Sequence, residues 1–170
     1  GATCQGYRDG SAWARGQAWG VYGLALAYKY TGRKEYIELF RKVTEYFLEH
    51  LPKDIVPYWD LEFTDGDDQP RDSSSASIAA CGMLEMSKYL ETEEAEYYKG
   101  LAAKLMKSVY DNYAVKDFET SNGLVLHSTY SNHSPYNTCD HKGVDECNAW
   151  GDYFYMEALT RMHKKWELYW

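Results

Sequence analysis

The sequence has few cysteines and no long apolar run, and these shortages exclude several classes of protein. Its four cysteines, Cys4, Cys81, Cys139 and Cys147, form no C-x-x-C pair and are too few for a disulfide scaffold. No run approaches the roughly 18 apolar residues of a membrane span, and no charged and apolar series at the start is typical of a signal peptide. We therefore expect reduced thiols, a cytoplasmic location and no membrane partner.

Basic residues are also scarce. The 170 residues include 18 Lys and Arg against 26 Asp and Glu, a formal net charge of −8. Phosphate backbones require a basic stripe, and none is present, so a nucleic-acid partner is excluded. Any anionic ligand must be bound by a local group.

Aromatic residues, in contrast, are abundant. The chain has 17 Tyr, 6 Trp and 5 Phe, 16% of its residues and more than a helical core of this size requires. Sugars present apolar C–H faces between their hydroxyls, and Trp and Tyr rings suit such faces. Some of these rings are therefore predicted to face a ligand.

Two kinds of helical segment alternate along the chain. Residues 12–30, 74–90 and a segment from Glu146 through Leu159 are apolar or small on nearly every face, which predicts helices buried all round. Residues 34–51 and 94–113 are amphipathic. The segment Gly23 to Tyr30 aligns without gaps on Gly82 to Tyr89. This repeat predicts an all-α array with an inner and an outer layer, and two and a half hairpins would not close a ring.

Two long connections, 52–72 and 115–145, are expected to line a site, because idle loops rarely exceed about 12 to 15 residues. Between the first ten residues and the first helix, Ser11 is a candidate N-cap, which places Arg15 in the opening turns of an apolar helix. A helix N-terminus is already positive, so a buried guanidinium there needs an anion. That anion is either a ligand or a carboxylate on a neighbouring inner helix, and Trp13 and Trp19 either face the ligand or pack in the core.

The segments SAWARGQAWGVYGLALAY, VPYWD, DSSSASIAACGMLEM and WGDYFYMEALTR resemble the C-terminal half of the unsaturated glucuronyl hydrolases of glycoside hydrolase family 88. The similarity covers essentially the whole chain, residues 1–170, as one part of a single catalytic domain. It implies an α/α toroid, a six-hairpin barrel of which this chain supplies about half. The neighbouring unsaturated rhamnogalacturonyl hydrolases tend to have Asn-Gly at the positions of Gln17 and Ala18.

The family removes a 4,5-unsaturated uronic acid from lyase-generated oligosaccharides, so the implied partner is an unsaturated uronyl oligosaccharide. Its reaction hydrates the double bond as a vinyl ether, with no metal and no organic cofactor. By position, Gln5, Trp13, Arg15 and Trp19 match the family's uronate subsite. Arg15 would hold the carboxylate, Gln5 would hydrogen-bond the sugar, and the two Trp rings would form a wall.

Two further residues, Tyr130 and Tyr136, are candidates for contacting the second sugar. The family's two essential aspartates have no match here, and capping or structural roles are expected for Asp60 and Asp152. The spacing of His133, Cys139, His141 and Cys147 matches no standard zinc pattern, so no metal is expected.

This absence of the acid predicts that the missing N-terminal half of the barrel is a partner, and a homodimer could cover the open faces of Gly16, Gly20, Ala76 and Ala80. Three hypotheses stay open: an unsaturated glucuronyl hydrolase acting on glycosaminoglycan fragments, an unsaturated rhamnogalacturonyl hydrolase, and a non-catalytic carbohydrate-binding or interaction remnant.

Overall fold

A computed structural model describes residues 3–167 and confirms the all-α prediction. Within this range the backbone forms five α-helices, one short 3-10 helix (Ser87–Tyr89) and isolated β-bridges, with no strand. None of these helices is both long and apolar enough to cross a membrane. The helices are α1 (Ala14–Thr31), α2 (Glu35–Glu49), α3 (Ser73–Met86), α4 (Thr92–Asn112) and α5 (Ala149–His163).

Helix α3 is the centre of the fold and packs against α1, α4 and α5. All of its residues except Leu84 are buried, as the sequence predicts for an inner helix. Small side chains allow this close packing: a Cβ on Gly82 would lie 2.7 Å from the backbone nitrogen of Tyr22 in α1. Helices α1, α3 and α5 form an inner layer in which the backbones of α1 and α3 nearly touch.

Helices α2 and α4 form the outer layer. Helix α2 packs on α1 through Phe40 and Phe47, and α4 packs on α3 with Leu105 and Val109 among its buried residues. The Phe40 ring meets that of Tyr98 at a centroid distance of 5.0 Å, which joins the two outer helices. The predicted alternation of inner and outer helices is confirmed.

Two expectations about exposed faces are wrong. Helix α1 is not buried all round, since Trp19 and Tyr30 are 36% and 58% exposed. Conversely, Ala76 and Ala80 are completely buried because α3 is surrounded by its neighbours in the same chain. Those two alanines cannot form a homodimer face.

Far from the N-terminal ends of the inner helices, a buried ionic cluster joins all three. Arg161 of α5 donates to Glu85 of α3 at 2.5 Å and to Glu157 at 2.7 Å, and Tyr22 of α1 donates its hydroxyl to Glu157 at 3.0 Å. Both carboxylates and the guanidinium are almost fully shielded from water. Removing one member would leave an uncompensated buried charge, so the cluster fixes the helices relative to one another.

The repeat-related glycines offer a matched stability test. We expect Gly82→Ala to lower the free energy of unfolding by about 1 to 3 kcal/mol, because its methyl group would overlap the α1 backbone. Gly23→Ala should be neutral or stabilising by up to about 1 kcal/mol, since nothing lies within 4 Å of its Cβ position. Urea unfolding of both variants measures the difference. Equal effects would contradict the close α1–α3 crossing.

Candidate functional site

The N-terminal ends of the inner helices α1 and α5 meet at one cavity of about 250 Å³. Helix N-termini carry partial positive charge and favour anions. The four residues matched to the uronate subsite border this cavity. Tyr130, predicted to contact the second sugar, borders it too, and a sixth residue joins them. The lining residues are Gln5, Trp13, Arg15, Trp19, Tyr130 and Trp150.

Arg15 lies at the centre of this group, 3% exposed. Its Nη2 donates to the carbonyl oxygen of Tyr130 at 2.6 Å. Its guanidinium carbon lies 4.8 Å from the ring centroid of Trp13 and 4.8 Å from that of Trp150. Such cation–π contacts stabilise a charge that has lost its water. The guanidinium is therefore fixed by two rings and one carbonyl.

A carboxylate on a neighbouring inner helix is also present, as the alternative interpretation of Arg15 required. Asp72, at the N-cap position of α3, places Oδ2 at 4.0 Å from Arg15 Nε. Burial raises the pKa of Asp72 against the opposing effect of Arg15, and burial lowers the pKa of Arg15 against that of Asp72. The ion pair at 4.0 Å thus offsets only part of the free-energy cost of removing water from the two charged groups.

The remaining hydrogen-bonding capacity of Asp72 is used within α3 and the following loop. Its Oδ1 accepts from Ser74 Oγ at 2.5 Å and its Oδ2 accepts from Ser75 Oγ at 2.9 Å. The backbone amide of Thr129 adds a longer contact of 3.4 Å to Oδ1. Asp72 is thus a fixed, fully buried neighbour of Arg15 that is closed to solvent.

Three polar atoms of cavity residues are buried without a hydrogen-bond partner: Arg15 Nη1, Trp150 Nε1 and Gln5 Oε1. Buried polar groups are nearly always paired, and an unpaired one costs free energy. Two of these atoms are donors and one is an acceptor. The cavity is therefore suited to a ligand that offers acceptors, an anion in particular, together with a hydroxyl donor.

The two predicted tryptophans have different surroundings. The Trp13 ring lies against the Arg15 guanidinium, and a Cβ on Gly16 would come within 2.7 Å of this ring. Trp13 is therefore tightly packed, and its main contact is with Arg15. Trp19, 36% exposed, meets Phe154 edge-on at 5.1 Å and keeps part of its ring open to the cavity. Of the two, Trp19 has the exposed ring area that a sugar wall requires.

The segment that carries Gln5 is held in place by Asp60, which is completely buried. Asp60 accepts from the amide of Tyr7 at 2.8 Å, from Ser11 Oγ at 2.7 Å and from the amide of Glu62 at 3.0 Å. Ser11 is therefore not the N-cap of α1, because Trp13 occupies that position and the Ser11 hydroxyl is used by Asp60.

The two long connections contribute differently. The second provides Tyr130, and its Ser134 and Asn137 bond the carbonyls of Tyr7 and Gly6 at 2.5 Å and 2.9 Å. The first connection, 52–72, contributes no residue to the cavity lining, contrary to expectation. Its buried stretch from Val56 to Leu61 instead supports the N-terminal segment, through Asp60.

A shallow groove of about 320 Å³ continues from the cavity and shares Gln5 and Tyr130 with it. Its other lining residues are Cys4, Ser131, Thr138, Cys139, Asp140 and Lys142. Tyr136, the other candidate for a second sugar, borders neither space. Its ring packs edge-on against Tyr7 at 5.4 Å and is otherwise exposed, which places it on the outer side of the N-terminal segment.

Asp152 and His133, which the sequence analysis also considered, contact backbone groups outside the cavity. Asp152 accepts from the amides of Leu124 and Val125 at 2.9 Å and 3.1 Å. His133 Nδ1 lies 3.0 Å from the carbonyl oxygen of Cys139. Among residues 3–167, no group of three or more His, Cys, Asp or Glu side chains is placed to hold a metal ion.

Sequence reasoning did not single out Trp150 or Asp72 as site residues. Both lie at a helix start: Asp72 immediately precedes α3, and Trp150 is the second residue of α5, after the Asn148 cap. That position was the available signal, because Arg15 of α1 was identified by the same criterion. If the inner helices are expected to begin at the same end of the fold, Arg15, Asp72 and Trp150 are expected to lie near one another.

Replacement of Asp60 should affect stability and not chemistry. We expect Asp60→Asn to lower the free energy of unfolding by about 1 to 3 kcal/mol, since an amide NH₂ would face groups that donate to the carboxylate. Asp68→Asn, in the same connection but exposed, should have no effect. Urea unfolding and the rate of proteolysis of the first twelve residues report the change. A stable Asp60→Asn variant with unchanged proteolysis would contradict the anchoring role.

No family model matches the sequence. Over its whole length, however, the chain is 49% identical to the unsaturated chondroitin disaccharide hydrolase of Streptococcus pneumoniae, of which it covers 42%. It is 37% identical to the unsaturated glucuronyl hydrolase of Bacillus sp. GL1, of which it covers 44%.

Solved structures agree with these relatives. The chain superposes with a TM-score of 0.90 and 49% identity on a Streptococcus agalactiae unsaturated glucuronyl hydrolase, an aspartate-to-asparagine mutant complexed with dGlcA-GalNAc6S, and covers 44% of it. A heparin-specific unsaturated glucuronyl hydrolase gives 0.82 at 32% identity, over 94% of this chain and 42% of that one. The resemblance seen in the sequence is thus confirmed: the whole chain is related to the unsaturated glucuronyl hydrolases and spans about two fifths of their length.

Proposed function

We propose that this chain is the substrate-binding part of an unsaturated glucuronyl hydrolase, in which Arg15 binds the carboxylate of a 4,5-unsaturated glucuronic acid. The observation that carries the proposal is the unpaired, buried Nη1 of Arg15 in a cavity between aromatic rings. A planar guanidinium can form two parallel hydrogen bonds to a carboxylate, and this interaction becomes stronger when water is excluded.

The cavity has the features that one uronate ring requires. A space of about 250 Å³ lies just below the range for drug-sized ligands, which suits a single sugar ring. Trp19 offers an open ring face, and Gln5 offers a carbonyl oxygen to a sugar hydroxyl. Acidic residues outnumber basic ones in the chain, so the helix N-termini and Arg15 provide the local positive potential that an anion needs.

Relatives favour glycosaminoglycan fragments as substrates. The Streptococcus pneumoniae relative is named for chondroitin disaccharides, and one related structure is described as specific for heparin. Gln17, one of the two residues that set this chain apart from the rhamnogalacturonyl hydrolases, donates its amide to the Val43 carbonyl of α2 at 2.9 Å. That residue thus supports helix packing, and the preference for glucuronides rests on the relatives.

The reaction would be hydration of the double bond, with a proton added at carbon 4, water added at carbon 5, and collapse of the hemiketal to release the second sugar. A positioned acid contributes roughly a hundredfold to ten-thousandfold to such a step. Among residues 3–167, no carboxylate lines the cavity, and Asp72 is closed off beneath Arg15. We therefore assign the proton donor to the remainder of the protein, which we place N-terminal to this chain.

Several finer points belong to the same proposal. They are membership of glycoside hydrolase family 88, a bacterial source and a cytoplasmic location. The cytoplasmic location fits the four cysteines, which are free in the structure. The partner that we propose is the N-terminal part of the barrel. A homodimer would have to use faces other than that of Ala76 and Ala80.

The test is a turnover assay that follows loss of absorbance of the unsaturated uronate. The chain alone should not hydrolyse an unsaturated chondroitin disaccharide. The chain should become active when joined to the part of the Streptococcus pneumoniae relative that it does not cover, which we propose to be the N-terminal part. Turnover by the chain alone at an ordinary glycosidase rate would overturn the assignment of the acid. Binding without turnover in the joined protein would favour a carbohydrate-binding remnant.

Arg15 is expected to dominate binding. In the joined protein, Arg15→Ala should weaken binding of the unsaturated disaccharide by about 2 to 5 kcal/mol, because a desolvated carboxylate loses its charged partner. Arg15→Lys should restore little, since an ammonium cannot keep both the Tyr130 carbonyl and the ligand. Titration calorimetry measures both. Arg8→Ala, which removes an exposed arginine paired with Glu62, is the control. An Arg15→Ala variant within twofold of the parent protein would refute the anion site.

Tyr130 and Tyr136 make a matched pair for substrate selectivity. Tyr130→Ala should change the ranking among unsaturated disaccharides with different second sugars, because this ring borders both the cavity and the groove. Tyr136→Ala should leave the ranking unchanged, since its ring lies on Tyr7 outside both spaces. Specificity constants for at least three disaccharides provide the ranking. An equal loss on every substrate for Tyr130→Ala would count against its contact with the second sugar.

A further inference from the structure

We propose that Trp150 is a substrate-contacting residue whose indole N–H donates a hydrogen bond to the bound uronate while its ring holds Arg15 in place. The inference rests on the proposed function, since it assigns a residue to the same site. It extends the pair of tryptophans expected from the sequence by a third, which comes from a different helix and has a different role.

The backbone of Trp150 is fixed at the start of α5. Asn148 caps this helix, its side-chain oxygen accepting from the Gly151 amide at 2.8 Å. The following residue is tightly seated: a Cβ on Gly151 would lie 2.9 Å from the Ser128 hydroxyl and 2.9 Å from the Asn148 oxygen. The cap and this close approach leave Trp150 little freedom to move away from the cavity.

The ring of Trp150 completes the enclosure of the Arg15 guanidinium. Its centroid is as far from the guanidinium carbon as that of Trp13, 4.8 Å in each case. The Tyr130 ring lies 5.5 Å from Trp150, so the residue whose carbonyl accepts from Arg15 is also in contact with the indole. Displacement of Trp150 would therefore release Arg15 on one side.

The N–H of this indole is buried without a partner. Buried indole N–H groups normally find an acceptor, as the one of Trp59 does by donating to Gln69 at 2.9 Å. Trp150 lines the cavity next to Arg15, whose Nη1 is also unpaired. Two unpaired donors at one cavity indicate a ligand group with two acceptor atoms, and the carboxylate of a uronate is such a group.

The first part of the experiment follows the joined protein without substitution, and a variant serves only to assign one resonance. Indole N–H resonances of the joined protein are recorded during titration with the unsaturated chondroitin disaccharide, and the resonance of Trp150 is identified by its loss in Trp150→Phe. We expect it to move downfield on binding. The resonance of Trp166, whose indole N–H is also buried without a partner but lines a different cavity, should not move.

The second part compares affinities. Trp150→Phe keeps a ring beside Arg15 and removes the N–H, and should weaken binding of the disaccharide about tenfold to hundredfold, the usual effect of losing a hydrogen bond to a charged group. The loss should be much smaller for the methyl ester of the uronate. Trp166→Phe is the matched control and should bind like the parent protein.

The outcomes separate this inference from the proposed function. A disaccharide that is hydrolysed while the Trp150 resonance stays in place, or an equal loss for acid and ester, would overturn the donor role. A resonance that moves in a protein without turnover would support Trp150 and count against the hydrolase. A parent protein that does not bind the disaccharide would overturn both.

Discussion

The burial of one guanidinium is the constraint on which the rest of this structure depends. Arg15 is placed in the first turn of a helix whose N-terminus is already positive, and the carboxylate of Asp72 is 4.0 Å away. A desolvated charge in this position is stable only if rings, carbonyls and an anion replace its water. Trp13, Trp150 and the Tyr130 carbonyl supply the first two of these, and the ligand would supply the third.

The architecture of the inner layer meets that need. Small residues in α3 let α1 and α5 approach closely enough for their first turns to share one cavity. The ionic cluster of Arg161, Glu85 and Glu157 fixes the same three helices farther along. The site is therefore supported by rigid helices, and the loops contribute Tyr130 and the anchoring of the segment that carries Gln5.

Much of this could be predicted from the sequence, for identifiable reasons. The alternation of inner and outer helices follows from the pattern of apolar residues, and Arg15 is conspicuous because a charge is rare in a segment such as AWARGQAW. The position of Tyr136 could not be predicted, because loop residues as close in sequence as Tyr130 and Tyr136 can point to opposite sides. The N-cap of α1 was misassigned to Ser11 because a hydroxyl satisfied by a distant aspartate looks the same in sequence as one that caps a helix.

The identity of Trp150 as a cavity residue depends on how α5 meets α1, a contact between residues more than 130 positions apart that periodicity does not encode. The same holds for Asp72 and Arg15, which are brought together by the α1–α3 crossing. Sequence patterns thus identified the helices and the charged residue, whereas the enclosure around that residue required the three-dimensional packing.

The most direct test of this account is a crystal structure of the chain joined to the N-terminal part of a relative, with the unsaturated chondroitin disaccharide bound. The account predicts that the uronate carboxylate lies within hydrogen-bond distance of Arg15 Nη1, with Trp19 along the sugar ring. A disaccharide bound with its carboxylate directed away from Arg15, or bound outside this cavity, would contradict it.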